Sequence, residues 1–289
     1  MAASLPTVAF RPDLAVGLEV VALRRLLASK APTLLVPVRA AFYQVIWVRH
    51  GQALHTVDFQ RVVLGPGSLL FVGPGRVHTF DLTAEYEGQL LLFTEAFFAR
   101  SDAATRFLHT TSLFQELRDV PVVLADRDAA VFATLLAQLA TELRQAPDAY
   151  QPVVLQNVVH TFLLLAERAQ RQQGYRPLDR SPQLTATVRF RALVEQQFQA
   201  ERSVRGYAAQ LNLPEKRLAQ ATASLLGKRP KQVIDERVTL EAKRLLAHTH
   251  ASVKEIGFAL GFGEPTNFIK YFRRQTRLTP TEFRERHVA

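Results

Sequence analysis

The chain contains no cysteine. That single absence excludes disulfides, thiolate-held zinc, iron–sulfur clusters and a cysteine nucleophile, and it suits a reducing compartment. Methionine occurs once, at Met1, and tryptophan once, at Trp47. No apolar run approaches the ~18 residues of a membrane-crossing helix. The opening MAASLPTVAFRPDLAVG lacks the apolar stretch of a secretory signal. A soluble, cytoplasmic protein with no membrane partner is expected. Hydrophobic residues at 48% and charged ones at 21% exclude wholesale disorder and fibrous repeats. A length of 289 residues suits two domains better than one small module.

Charge is present but unevenly placed. The net value is +10, and residues 181–289 carry 19 Lys and Arg against 10 Asp and Glu. Residues 1–180 hold 17 basic and 16 acidic side chains, so they are close to neutral. The positive excess therefore sits in the last third, which points to a polyanion as the partner of that region.

The hydrophobic pattern divides in the same way. Between 33 and 94, TLLVPV, FYQVIWV, LHTVDFQRVVL, GSLLFVG and GQLLLFT read as short strands. Gly51, Gly65-Pro66-Gly67 and Gly73-Pro74-Gly75 separate them as turns. Strands at this spacing predict an antiparallel sandwich or barrel. From about Asp126, VFATLLAQLATELRQ and VLQNVVHTFLLLAERAQRQ change to helical spacing, which predicts helices over 128–144 and 153–171. GYRPLDRSPQ reads as a linker, and everything beyond it is helical in pattern.

The tail holds an internal repeat. Val204, Tyr207, Ala208 and Leu211 form one apolar stripe, and Val253, Ile256, Gly257 and Leu260 form another 49 residues later. Each stripe ends in a residue that tolerates a left-handed backbone, Asn212 or Gly261. Each is followed by a helix with proline near its start, Pro214 or Pro265. Two short helices about a tight turn make a helix-turn-helix, whose second helix can enter the DNA major groove.

Both second helices have two faces. Phe268 and Phe272 point inward with Tyr271 beside them, while Thr266, Asn267, Lys270, Arg273 and Arg274 fall on the other side. In the first copy, Leu218, Ala221 and Leu225 face inward, and Glu215, Lys216, Arg217 and Gln220 face out. Asn suits adenine, and Arg or Lys suits guanine or phosphate. One such helix alone is ordinarily just a solvated surface. Two in duplicated units inside a basic segment point to double-stranded DNA. Lys231–His248 reads as one helix with the stripe Val233, Ile234, Val238, Leu245 and Leu246, spanning roughly 27 Å. A spacer of that size can hold two reading helices about one DNA turn apart. Thr279-Pro280-Thr281-Glu282 forms a capping box that opens a last short helix.

These residues resemble a known family. RVTLEAKRLLAHTHASVKEIGFALGFGEPTNFIKYFRRQTRLTPTEFR and, more weakly, SVRGYAAQLNLPEKRLAQATASLLGKRP are similar to the DNA-binding domain of AraC/XylS transcription regulators. The resemblance implies a seven-helix domain with two helix-turn-helix units joined by a long helix. It also implies base contacts from Lys216, Arg217 and Gln220 in one unit and Thr266, Asn267, Lys270 and Arg274 in the other. Three positions depart from the pattern. Thr222 stands where Phe is usual, so looser packing is expected there. Gly257 replaces Ala, and Arg277 replaces a capping Gly, so a different cap is expected.

The front half resembles the cupin-type sensor that accompanies this domain, most clearly in VGPGRVHTF. Enzymatic cupins hold a metal with a His-x-His pair, a Glu and a further His. This chain offers His50, His55 and His78 without that pairing, with His50 and His55 expected on opposite faces of a strand and His78 expected to hydrogen-bond a neighbouring loop. A metal-dependent cupin enzyme with a helical appendage is therefore the lesser alternative, and no catalytic residue, metal or other cofactor is expected. Arg39, Phe42, Trp47, Phe71, His78 and Phe80 are the candidate effector contacts at the barrel mouth. Leu135, Leu136, Leu139 and Leu143, with Val154, Val158, Phe162 and Leu165, form stripes suited to burial against the barrel or to a dimer seam.

The whole reads as a multidomain α+β protein: an N-terminal cupin-like antiparallel β-barrel followed by helices, then an all-α domain with two helix-turn-helix motifs. The expected divisions are a sensor over 1–115, a helical connector and dimerisation region over 116–175, a linker over 176–183 and a DNA-binding domain over 184–289. The resemblance implies a homodimer, a small-molecule effector and contact with RNA polymerase.

Overall fold

The computed structural model describes residues 5, 7–11, 16–29, 34, 37–114, 122–124, 128–175 and 181–287. Two compact units result, Pro6–Pro177 and one built on Leu178–Ala289.

In the first unit the strands are β1 (Thr7–Val8), β2 (Leu18–Ala22), β3 (Val38–Ala40), β4 (Tyr43–Gly51), β5 (Ala53–Val57), β6 (Gln60–Leu64), β7 (Ser68–Val72), β8 (Val77–Thr79), β9 (Tyr86–Phe93) and β10 (Val122–Leu124), with helix α1 (Leu23–Ala28) after β2. They form two five-stranded sheets, β1-β3-β8-β5-β6 and β10-β7-β4-β9-β2. Every pairing is antiparallel except the short one between β1 and β3. The antiparallel architecture read from strand spacing is thus present. β1, β2, α1, β8 and β10 were not foreseen, and LHTVDFQRVVL, read as one strand, is β5 and β6 joined by a turn. Of the expected strand TLLVPV, residues 33, 35 and 36 lie outside the described residues, and Val38 opens β3.

The second sheet is buried on both faces. Ile46, Val48, Leu70, Val72 and Leu90 meet Ala53, Val57 and Leu64 of the other sheet. On the opposite face, Tyr43, Val45, Trp47, Leu69, Phe71, Leu91 and Phe93 lie beneath helices α2 (Glu95–Phe98), α3 (Asp102–Thr110), α4 (Ala129–Glu142) and α5 (Gln151–Gln172). Double burial explains why these strands read as unbroken apolar runs rather than alternating ones. β5 does alternate, with Ala53, His55 and Val57 buried and Leu54 exposed. The β5–β6 turn places Asp58 and Phe59 at positive φ. Asp58 then accepts from Arg76 Nε at 2.9 Å and from the Val77 amide at 3.1 Å, tying the turn to β8.

Half of the residues in the leucine and valine stripes go to the core. Leu136, Leu139, Val158 and Phe162 are buried against the sheet, and Phe132 meets Phe162 edge-on at 4.9 Å. Leu135, Leu143, Val154 and Leu165 are half-buried.

The second unit holds α6 (Pro182–Gln197), α7 (Val204–Gln210), α8 (Glu215–Leu226), α9 (Pro230–His248), α10 (Val253–Ala259), α11 (Pro265–Thr276) and α12 (Pro280–His287). Ser181 caps α6 by accepting from the Leu184 amide at 3.1 Å, so the helix begins inside the stretch read as linker. Residues 176–180 of that stretch lie outside the described residues. α9 buries Val233, Ile234, Val238, Leu245 and Leu246 as its spacing predicts. Among the described residues no helix is long and apolar enough to cross a membrane.

Candidate nucleic-acid interface and sensor interior

The internal repeat extends to individual hydrogen bonds. Ser203 and Ser252 cap α7 and α10 by accepting from the amides of Gly206 (2.9 Å) and Glu255 (3.2 Å). At the other end, the Leu213 amide donates to the Ala208 carbonyl and the Phe262 amide to the Gly257 carbonyl, both at 3.0 Å. Asn212 donates to Ala209 (3.0 Å) and Gly261 to Phe258 (2.8 Å). Each pair of bonds is a Schellman motif, which ends a helix through one left-handed residue. Asn212 has φ 54° and Gly261 φ 81°. The two positions are not interchangeable, because a Cβ at 261 would collide with the Gln199 carbonyl oxygen. Arg202 donates to the Leu260 carbonyl and lies 3.7 Å over the Phe262 ring, holding this second turn in place.

The second helices present the faces their sequences imply. In α8, Leu218, Ala221 and Thr222 are buried, while Glu215, Lys216, Arg217 and Gln220 are exposed. Thr222 is fully enclosed, and its hydroxyl donates to the Ala219 carbonyl at 3.3 Å. In α11, Phe268 and Phe272 are buried, and Thr266, Asn267, Lys270, Arg273 and Arg274 are exposed. Tyr271 donates to the Asp235 carbonyl at 2.9 Å, docking α11 on α9. Gly257 lets the two helices of this unit close up, since a Cβ there would stand 3.2 Å from Phe268 Cβ.

The expectation of a different cap after α11 is corrected. Arg277 takes the left-handed conformation itself, with φ 63°, and its amide donates to Arg273 at 2.8 Å. Gly227 does the same after α8, with φ 63° and a 3.0 Å bond to Ala223. A non-glycine residue in this region costs about 1 kcal/mol.

The spacer helix carries a feature that apolar periodicity did not reveal. Arg237 reaches Glu195 of α6 at 2.7 Å and Glu241 at 3.0 Å, and Arg244 reaches Glu241 at 3.3 Å. Arg237 also stacks 4.0 Å over Phe198. Burial alone would lower the Arg237 pKa, but the Glu195 and Glu241 carboxylates outweigh it and raise the value. Opposite charges at i, i+4 and i, i+3 were the available signal.

In the sheet unit the candidate effector residues separate. Trp47 and Phe71 lie in the layer beneath the helices, on the sheet face turned away from the interior. Arg39 pairs with Val77 and Val38 with His78, so Arg39 occupies the face opposite His78. Phe42 meets Phe10 edge-on at 5.4 Å. His78 and Phe80 stay together, with ring centroids 5.0 Å apart. Strand register decides these placements, and alternation with one-residue precision was not available from composition.

His78 does not hydrogen-bond a loop as expected. Both its ring nitrogens, and both of His55, are buried without a hydrogen-bond partner. His50 and His55 occupy different strands, β4 and β5, rather than two faces of one, and His50 is exposed. Burial lowers the His55 pKa to about 4, against a smaller opposing effect of Asp81. Burial likewise lowers His78 to about 4, with His55 adding to the shift and Asp58 opposing it. Gln44 and Tyr86 share the interior, and Gln44 Nε2 and the Tyr86 hydroxyl are also without partners. The sequence reading weighed His55 only as a metal ligand and did not single out Gln44 or Tyr86. The lone polar letter inside FYQVIWV and the inward phase of His55 between Ala53 and Val57 were the signals. Among the described residues, no three His, Asp or Glu side chains gather as a group that could hold a metal.

Two family descriptions match the chain: a helix-turn-helix domain over residues 207–286 and an AraC-like ligand binding domain over residues 37–151. The chain is 23% identical over 244 residues to the HTH-type transcriptional activator RhaS of Enterobacter sp. (strain 638), covering 84% of this chain and 85% of that protein. It is 23% identical over 247 residues to RhaS of Salmonella typhimurium, with the same coverage of 84% and 85%. Among solved structures, ToxT from Vibrio cholerae aligns over 86% of this chain and 91% of its own, with 14% identity and a TM-score of 0.45.

Proposed function

The chain belongs to the AraC family of transcription regulators, and on that premise we propose that α8 and α11 lie in successive major grooves along one side of a DNA site. Lys216, Arg217 and Gln220 read one groove, and Thr266, Asn267, Lys270 and Arg274 read the next. Glu215 and Arg273 border these contacts. The observation that carries this reading is the repeat itself: two units that share a serine N-cap and a Schellman turn, each exposing a polar face on its second helix. The buried Arg237–Glu241–Arg244 chain supports α9 as a stiff spacer between them.

Residues 1–115 serve as the sensor, 116–175 as connector and dimerisation region, 176–183 as linker and 184–289 as the DNA-binding domain. Effector binding in the sensor changes how a homodimer presents its reading helices to DNA. Val131, Val153 and Leu164 on α4 and α5 are exposed and available to that dimer seam. The protein works in the cytoplasm, contacts RNA polymerase and performs no catalysis.

Selection of bound fragments from genomic DNA, read by sequencing, tests the reading. Enrichment of a motif with two boxes about one helical turn apart is expected. Log affinity for that site should fall linearly and steeply with log salt concentration. No enriched motif, or a flat salt response, would sink it.

A further inference from the structure

Residues 198–203 join α6 to α7, and their backbone belongs to the first helix-turn-helix. The Glu201 carboxylate receives the amides of Arg202 at 2.8 Å and Ser203 at 2.7 Å, and the Glu201 carbonyl receives the Tyr207 hydroxyl at 3.0 Å. The Arg202 side chain goes elsewhere. It donates to the Leu260 carbonyl and lies 3.7 Å over the Phe262 ring, so it holds both residues that flank Gly261 in the second helix-turn-helix. Gly261 itself packs so closely on the Gln199 carbonyl that a Cβ there has no room. A connector of the first motif thus grips the turn of the second.

The spacer helix closes the same junction. Lys231, at the start of α9, donates to the Arg202 carbonyl at 3.3 Å and pairs with Asp235 at 2.8 Å. The Asp235 carbonyl receives the Tyr271 hydroxyl of α11, and the Tyr271 ring lies 6.0 Å from the Arg202 guanidinium. Nε of Arg202 is buried without a partner, a cost that an apolar side chain would not carry if filling space were the only task. Precision matters at this point because one base pair moves a box ~3.4 Å along the duplex and turns it by ~34°. Two readers joined firmly accept one spacing, and two joined loosely accept several. We propose that Arg202 is a positioning residue that fixes the distance and phase between α8 and α11, and so gives the two boxes of the DNA site a single permitted spacing. The proposal rests on the reading of α8 and α11 as the DNA-reading helices.

Mobility shifts of the full chain on the selected two-box duplex, and on duplexes with one base pair added or removed between the boxes, test it. The wild type should lose roughly tenfold or more in affinity on either altered duplex. Arg202→Met keeps an apolar chain over Phe262 and removes the bond to Leu260, so its loss should shrink to roughly threefold or less. Arg202→Lys can still donate and should fall between the two. The slope of log affinity against log salt should stay at the wild-type value in both variants, because Arg202 acts through the turn. A slope reduced by about 1 would make it a phosphate contact instead. Arg202→Ala is a further variant should Arg202→Met fail to fold. No spacing penalty in the wild type, an unchanged penalty in the folded variants, or the reduced slope overturns the proposal. Binding by the wild type separates the two readings. If it binds its duplex and the variants share its spacing profile, only the role of Arg202 falls, whereas absent DNA binding removes the regulator reading.

Discussion

Arg237, Glu241 and Arg244 lie inside the helical unit as deeply as His55, His78 and Gln44 lie inside the sheet unit. The first three answer one another and Glu195. The second three present polar atoms with no partner. A buried group that is paired holds an architecture together, while one that is unpaired raises the energy of the empty protein and favours binding.

The largest effect should come from breaking the paired set. Glu241→Ala leaves Arg237 and Arg244 buried without their shared carboxylate and should cost ~3 kcal/mol in urea unfolding. A loss below ~1 kcal/mol would mean that the α9 charges are ornamental.

Acid should next distinguish the two units. The unfolded chain protonates histidine near pH 6.5, whereas His55 and His78 resist protonation down to about 4. Stability of the sheet unit is therefore complete above pH ~6.5 and is lost as the pH falls from there toward ~4, by roughly 2 kcal/mol or more. Asp81, with its pKa lowered to about 2 mainly by the Leu54 amide, stays ionised across this window and does not mask the change. Melts followed by Trp47 fluorescence report on the sheet unit, and a pH-independent midpoint between about 7 and 5 would contradict the assignment. His78→Phe should flatten the response.

The smallest effect on stability should come from exposed charges. Lys270→Ala with Arg274→Ala should leave the melting midpoint within the ±0.5 kcal/mol typical of surface changes, yet abolish specific DNA binding in a mobility shift. Unfolding instead would place both residues in the core.

Much of the helical unit was legible beforehand. Its repeat, its left-handed turn residues and its exposed polar faces follow from spacings of three and four residues, which local chemistry imposes wherever the helix sits. The Arg277 cap was misjudged because backbone conformation depends on the neighbouring bonds as well as on residue type. In the sheet unit the strands were legible, but which side chains share the interior was not. Trp47 and Phe71 seemed to be pocket residues because aromatic side chains suit either face, and the helices cover the face they occupy. His55 was weighed only as a metal ligand because its neighbours in space, His78, Phe80 and Tyr86, come from other strands or from the segment joining them.

The order of amino acids alone determined the class of fold, the duplicated helix-turn-helix units and the side chains they expose, since each can be read from spacings within a dozen residues. Tertiary structure decided which face of each strand is the interior and which polar groups meet there. Those outcomes depend on the register between strands far apart in the chain, and a shift of one residue would reverse them all.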